Sequence, residues 1–221
     1  MPDLVMVTGT DTGVGKTWVT SALARALRER GVDVLALKLV ESGTTESVQP
    51  GEDGVLLADA TGQDAPRAAL RRYREPVTPS LAAELDGTEV DMPAIKREML
   101  AFAGSHRVTL VEGAGGLLAP LATDCTLLDL AATHGARVLV VAADRLGMLN
   151  HTRLTLAALD GAGVTCAGVV VNTIDGNQMT DDHSVGRNIA VLRTVDPGMP
   201  LVETTASGWP DTVIGWLQLG S

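Results

Sequence analysis

Gly9-Thr10-Asp11-Thr12-Gly13-Val14-Gly15-Lys16-Thr17 is the stretch on which the fold turns. Before it lies an apolar run, Leu4 to Val7, that reads as a short buried strand. After it comes a helical pattern, Trp18 to Arg30, with apolar residues at Val19, Leu23, Ala26 and Leu27. A strand, a Gly-rich loop ending in Gly-Lys-Thr and a helix form the context of a phosphate-binding loop. The amides of such a loop point inward around oxyanions, and the helix N-terminus adds its partial positive charge. On this reading Lys16 reaches the β- and γ-phosphates and the Thr17 hydroxyl ligates Mg²⁺. The spacing departs from the general pattern. The first glycine is expected where Thr10 stands, and Gly9 lies one place earlier. The plainer alternative is a Gly-rich turn that only caps a helix. It leaves the agreement of strand, loop ending and helix unexplained. A loop of this kind implies a nucleoside triphosphate without saying what its energy drives.

The bulk composition fits a single domain with a full-sized core: 221 residues, 45% hydrophobic and 20% charged. Aromatic residues make up only 2%, so the core must be built from Leu, Val and Ala. A formal net charge of −10 argues against a nucleic-acid partner or an anionic membrane surface. It does not argue against ATP, for which one local group of lysines and amides is enough. Apolar runs such as Val138 to Ala143 are too short to span a bilayer. The apolar N-terminal run reads as a strand, with no basic region or cleavage pattern. Cys125 and Cys166 have no ligand-like spacing and read as buried thiols, for which a reducing cytoplasm is the simplest home.

Onward from the loop, strands and helices alternate, which implies parallel βαβ units with right-handed crossovers. A second strand, Val32 to Leu37, ends at Lys38. In such sheets ligands gather at the carboxyl ends of the strands, so Lys38 is placed beside the phosphate loop. Glu41-Ser42-Gly43 comes next, followed by a polar stretch to Gly54 that reads as loop. Asp53 starts a helical pattern, either as a simple N-terminal helix charge or as a metal-associated carboxylate. Helical spacing over Ala65 to Arg74 puts Arg67, Arg71 and Arg74 on one solvated face. Pro76 and Pro79 make an extended segment, Ser80 caps a helix over Leu81 to Leu85, and Asp91 caps another that runs to Ala103. A third strand, Val108 to Val111, runs into Glu112-Gly113-Ala114-Gly115-Gly116, where an acidic residue at a strand end suits a carboxylate held near Mg²⁺. Thr126 to Thr133 reads as a helix, Arg137 to Ala143 as a fourth strand and Asp144 to Asn150 as a loop. The next helix offers free N–H groups to an anion, and His151 reads as a packing or capping residue. A fifth strand, Ala167 to Val171, ends in Asn172-Thr173, where an amide side chain can read a purine edge. A helix over Asp182 to Val195, a short strand at Leu201-Val202 and a helix over Pro210 to Leu219 complete the chain.

As a set, these motifs resemble the dethiobiotin synthetase family of biotin biosynthesis. The resemblance covers nearly the whole chain. It rests on Thr8 to Thr12 with Gly15-Lys16-Thr17, Lys38 with Ser42-Gly43, Asp53, Val111 to Gly116, Gly147 with Asn150-His151, and Asn172. It implies a phosphate-loop α/β sheet in one domain and a homodimer. It also implies an ATP- and Mg²⁺-dependent ligase that carbamylates 7,8-diaminopelargonate with CO₂, forms a carbamic–phosphoric anhydride and closes the ureido ring. On this sequence the resemblance assigns Mg²⁺ to Thr17, Asp53 and Glu112, and charge neutralisation to Lys16 and Lys38. The nucleotide falls to Gly13, Val14, Gly15, Lys16, Thr17, Trp18, Asp53, Glu112, Gly113, Ala114, Gly115 and Asn172, with Asn172 on adenine. The substrate falls to Thr12 and Ser42, and its carboxylate to the amides of Gly147, Met148, Leu149 and Asn150 from the partner subunit.

The sequence departs from the family in three places. Leu39 stands where proline usually follows the lysine. Glu41 stands where a small residue usually precedes Ser-Gly. Pro200 to Pro210 lacks a segment that helps to bind the nucleotide. Two rival readings share the core. A partitioning-type switch ATPase carries a second loop lysine where this chain has Asp11. An amide-forming ligase of the cobalamin pathway carries a long amidotransferase extension, for which 221 residues leave no room.

Overall fold

The computed structural model describes residues 3–173 and 182–219. Its centre is a six-stranded sheet of order β2-β5-β1-β6-β7-β8. The strands are β1 (Asp3–Gly9), β2 (Val34–Lys38), β5 (Val108–Gly116), β6 (Arg137–Ala143), β7 (Cys166–Asn172) and β8 (Leu201–Glu203). Every pairing is parallel. A parallel sheet is covered on both faces, which explains why its strands read as unbroken apolar runs rather than alternating ones. Successive residues go to opposite sides. Met6, Leu35, Leu37, Val111 and Val138 join one core, and Val5, Val7, Ala36, Leu110 and Leu139 the other. The first core is closed by α4 (Met92–Ala103), α5 (Leu127–His134), α6 (Met148–Gly161) and α7 (Asn188–Val195). The second is closed by α1 (Lys16–Glu29), α2 (Asp53–Thr61) and α8 (Trp209–Leu217).

Topology places the functional edge. From β1 the chain crosses by α1 to β2 on one side of the sheet, and β6, β7 and β8 follow on the other. Strand β1 therefore stands at the point where the winding reverses, and a crevice opens at its carboxyl end. No helix among the described residues is long and apolar enough to cross a membrane. Several termini behave as the residue types dictate. Asp91 accepts from the Ala94 amide at the start of α4, and Thr126 and Asp129 form a reciprocal capping box on α5.

Four sequence expectations give way. The arginine stretch is not a helix: Arg71–Tyr73 forms β4, which pairs in parallel with β3 (Val40–Ser42). The Leu70 and Arg71 amides donate to the carbonyls of Lys38 and Leu39, so tertiary pairing overrides the helical spacing. Nor do the arginines form a free solvated face. Arg71, Arg72 and Arg74 pair with Glu98, Glu52 and Asp86 at 2.7, 2.6 and 2.8 Å, and Arg67 pairs with Asp59. The pairing also makes a strand of Val40–Ser42, just before the expected loop. The third difference is α3 (Pro79–Leu85), which starts from Thr78 with proline in its first turn, so Ser80 lies inside the helix. The fourth concerns the elements flanking β7. Gly147, with φ 90°, lets α6 begin at Met148, inside the expected loop. The late helix is confined to Asn188–Val195, because Asp182 takes the Ser184 amide and hydroxyl into a turn first.

Helix α2 is clamped to α1 and the sheet by Leu57, which is fully buried. Leu57→Ala is expected to lower stability by about 2–5 kcal/mol. Urea unfolding should show a lower midpoint with an unchanged m-value.

Candidate active site

The connection from β1 to α1 wraps the crevice. Gly15 adopts φ 87°, and a Cβ built there would lie 2.1 Å from the Asn172 side-chain nitrogen, so only glycine fits. Asn172, at the end of β7, donates from Nδ2 to the Val14 carbonyl at 3.0 Å and accepts at Oδ1 from the Thr204 hydroxyl at 3.1 Å. Here its amide buttresses the loop from behind, and both of its ends are engaged. Arg145 pairs with Asp11 at 2.8 Å and ties the front of the loop to the connection after β6.

Two lysines reach the crevice by different routes. Lys16 is the first residue of α1 and is buried, with Nζ 3.4 Å from the Asp11 carbonyl. Burial and the nearby Lys38 charge lower its pKa. Lys38 ends β2 in register with Glu112 on β5, so the two side chains leave adjacent strands side by side. Its ammonium donates at 2.6 Å to Glu112 Oε1 and at 2.6 Å to Asp53 Oδ2. Burial alone would lower the Lys38 pKa, but Glu112 and Asp53 more than offset it and hold the ammonium well above its ordinary value. Burial likewise works against the Asp53 carboxylate, and Lys38 overrides it, so the carboxyl lies below its usual range. The Thr17 hydroxyl donates to Glu112 Oε1 at 2.7 Å.

Thr17, Asp53 and Glu112 thus converge from α1, α2 and β5. Glu112 is fully buried, and its Oε2 has no hydrogen-bond partner. A buried carboxylate oxygen left without a donor is costly unless a cation is meant to meet it. A hydroxyl with two carboxylates is a hard-oxygen set of the kind Mg²⁺ takes alongside substrate phosphates. The residues present therefore fit the ion.

The cleft above these groups has a volume of about 560 Å³. Of the residues assigned from the sequence, Thr12, Gly13, Gly15, Lys16, Thr17 and Trp18 line it from the loop and α1. Lys38, Ser42 and Asp53 line it from the opposite wall, and Ala114 and Gly115 from β5. Glu112 is fully buried behind the lining, in contact with Lys38 and Thr17. Val14, Gly113 and Asn172 support the lining without belonging to it. Gly147, Met148, Leu149 and Asn150 lie at the start of α6 and are not part of the cleft of their own chain. Ser42 currently donates to the Val77 carbonyl at 2.7 Å.

Sequence reasoning missed three participants. Val40 and Leu56 give the wall apolar surface, and Trp209 stacks on the half-exposed Trp18 at 5.7 Å between centroids. No local pattern announces a stack between α1 and α8. A fourth residue, Glu41, was legible only as an anomaly. It lines the wall, and its carboxylate accepts the amides of Asp53 and Gly54 at 2.6 and 3.1 Å.

Fold and cleft together define a phosphate-loop nucleotide-binding α/β protein. A family model described as an AAA domain matches residues 3–198. The chain is 42% identical over 201 residues to the ATP-dependent dethiobiotin synthetase of Anaeromyxobacter dehalogenans, covering 89% of this chain and 87% of that one. It is 44% identical over 201 residues to the enzyme of that name from Mycobacterium tuberculosis, covering 88% and 86%. The chain belongs to the ATP-dependent dethiobiotin synthetase family. Among solved structures the likeness is one of fold. The septum site-determining protein MinD of Pyrococcus horikoshii, complexed with Mg-ADP, gives a TM-score of 0.52 at 15% identity over 98% of this chain and 86% of that one. A DUF1611 family protein from Anabaena variabilis gives 0.59 at 19% identity over 98% and 57%.

The lysine–carboxylate cluster sets a pH signature. Because its folded pKa is depressed, Asp53 contributes stability that is present above its unfolded value of about 3.9 and is lost as pH falls through the lower folded value. Lys38→Met strands two carboxylates with no cation between them. Without the Lys38 charge the burial of Asp53 is no longer offset, so the folded state takes up a proton there more readily, and stability should rise as pH falls from about 7 to 5, a window in which the parent keeps its Asp53 contribution in full. At neutral pH the variant should lose about 3 kcal/mol, the low end for a broken buried pair, since Thr17 still donates to Glu112. Urea midpoints at the two pH values check both sign and size.

Proposed function

We propose that this chain closes the ureido ring of dethiobiotin from 7,8-diaminopelargonate, CO₂ and ATP. The observation that carries the reading is the convergence of Lys16, Lys38, Thr17, Asp53 and Glu112 on one cleft in a chain whose curated relatives are named for that product.

The chemistry asks for these groups. One amine of the diamine adds to CO₂ and loses a proton, giving a carbamate. A carbamate oxygen attacks the γ-phosphorus, and the bond to the ADP oxygen breaks. The second amine then attacks the carbamyl carbon, and inorganic phosphate leaves as the ring closes. Each step gathers or moves negative charge, so catalysis is chiefly placement and charge neutralisation. Lys16 meets the β- and γ-phosphates from the loop. Lys38, on the facing wall, holds the carbamate beside the γ-phosphate. Loop amides from Gly13 to Thr17 cradle the phosphate oxygens. Thr17, Asp53 and Glu112 would hold Mg²⁺, which would supply charge neutralisation for the phosphate groups. Ser42 and Thr12 flank the diamine. Asn172, with both ends of its amide engaged, serves the nucleotide by holding the loop from behind through the Val14 carbonyl.

The enzyme works as a homodimer in this reading. The first amides of α6, which do not line their own cleft, serve the carboxylate tail of substrate bound by the partner. Leu118, Leu146 and Leu154 are exposed around that helix, an apolar surface that a second subunit would cover. The two free thiols, Cys125 and Cys166, suit a reducing compartment, and the chain is assigned to the cytoplasm.

Phosphate release from ATP with Mg²⁺ and bicarbonate should rise strongly on adding 7,8-diaminopelargonate, with dethiobiotin as the product by mass spectrometry. Slow hydrolysis indifferent to the diamine would instead mark a switch-type ATPase. Lys16→Ala and Lys38→Ala should each reduce turnover by at least about a hundredfold. Near-normal turnover in Lys38→Ala would remove that lysine from the carbamate. Light scattering should give a dimer, and a fully active monomer would rule out a carboxylate site shared between subunits.

A further inference from the structure

Helix α2 carries Asp53 as its first residue, and it lacks a side-chain cap of its own. An uncapped N-terminus leaves its first amides to water and lets the first turn fray. Glu52 occupies the cap position, but its carboxylate is engaged elsewhere. It takes Arg72 at 2.6 and 2.9 Å and the Gln49 amide at 3.0 Å. The missing acceptor comes from β3. Glu41, only 9% exposed, takes the Asp53 amide on Oε1 at 2.6 Å and the Gly54 amide on Oε2 at 3.1 Å. One carboxylate from another element therefore closes both leading donors of the helix. Behind it, a Cβ on Gly54 would sit 2.2 Å from the Ala69 backbone nitrogen, so the turn is pressed against the chain on its other side. Strand pairing completes the clamp. Glu41 on β3 stands opposite Arg72 on β4, and Arg72 is the residue that draws Glu52 away.

We infer that Glu41 is a positioning residue for Asp53. By fixing the first two amides of α2 from β3, it sets where the Asp53 carboxylate stands relative to Glu112 and Thr17. The inference rests on the reading of Asp53 as a Mg²⁺ ligand. It also accounts for Glu41 where a small residue is usual next to the Ser-Gly pair. Both of its oxygens face α2, so its part is toward the metal carboxylate rather than toward the amines of the substrate.

The test compares Glu41→Ala and Glu41→Gln with the parent by calorimetry of ADP binding, with and without Mg²⁺, together with steady-state kinetics in Mg²⁺ and in the diamine. Glutamine keeps the shape and one acceptor, so it stays informative if the alanine variant folds poorly. Expected in Glu41→Ala is a loss of about tenfold in the Mg²⁺-dependent part of ADP affinity, the scale of losing an outer partner of a metal ligand. Metal-free ADP affinity and KM for the diamine should be unchanged, and kcat should recover at high Mg²⁺. Glu41→Gln should lose less. An undiminished Mg²⁺ increment in Glu41→Ala would overturn the inference, as would a raised diamine KM alone or a glutamine variant as impaired as the alanine one. A parent protein whose ADP affinity ignores Mg²⁺ would overturn the metal reading itself and this inference with it.

Discussion

A buried ammonium held by two carboxylates draws three elements of this molecule to one point. Lys38 comes from β2, Glu112 from β5 and Asp53 from α2, and the two contacts are 2.6 Å each. Removing such charges from water costs several kcal/mol per ion, and only close, hydrogen-bonded pairing offsets it. The cluster is therefore a constraint on placement more than a source of stability. Any shift of β2 against β5, or of α2 against the sheet, leaves a buried charge alone. The strand register makes the arrangement possible, because Lys38 and Glu112 are direct neighbours across the parallel pair.

From that constraint the rest of the edge follows. Helix α2 must begin where Asp53 can meet Lys38, and the small β3–β4 sheet holds it there through Glu41 and Arg72. The phosphate loop must stand over the same point, and Asn172 and Arg145 fix it from behind and in front. The two sets of contacts come from opposite halves of the sheet and meet over β1, where the winding reverses. The cleft is shaped largely by strand ends and helix starts. That suits chemistry in which placement matters more than reactive side chains.

Legibility in the sequence followed how local each signal was. Lys16 and Thr17 are read from a contiguous motif, and Lys38 and Glu112 from their position at the ends of apolar runs. Asp53 was left between helix charge and metal carboxylate, because its partner lies 15 residues back on another strand. The arginine stretch misled because helical spacing is a local property, whereas Arg71 and Arg72 answer to Leu39, Glu98 and Glu52. Glu41 stood out as a break with a family pattern, yet nothing near it in sequence says that it reaches the amides of residues 53 and 54. The stacked Trp18 and Trp209 join opposite ends of the chain and leave no periodic trace.

The fold alone would not choose among reactions. MinD shares it at 15% identity, so the sheet and loop define only where a ligand sits. What distinguishes this edge is the origin of its second cation. Position 11, where a partitioning-type ATPase would carry a loop lysine, holds an aspartate, and that aspartate pairs with Arg145. The second lysine rises instead from the end of β2, buried to 5% exposure and anchored by the sheet. A cation on a mobile loop suits a group that must move between subunits or states. A cation whose position is set by strand register suits a charge that must be held still beside a phosphate while bonds exchange. In this chain strand register sets the position of the cation, and the carboxylates on either side of it keep it there.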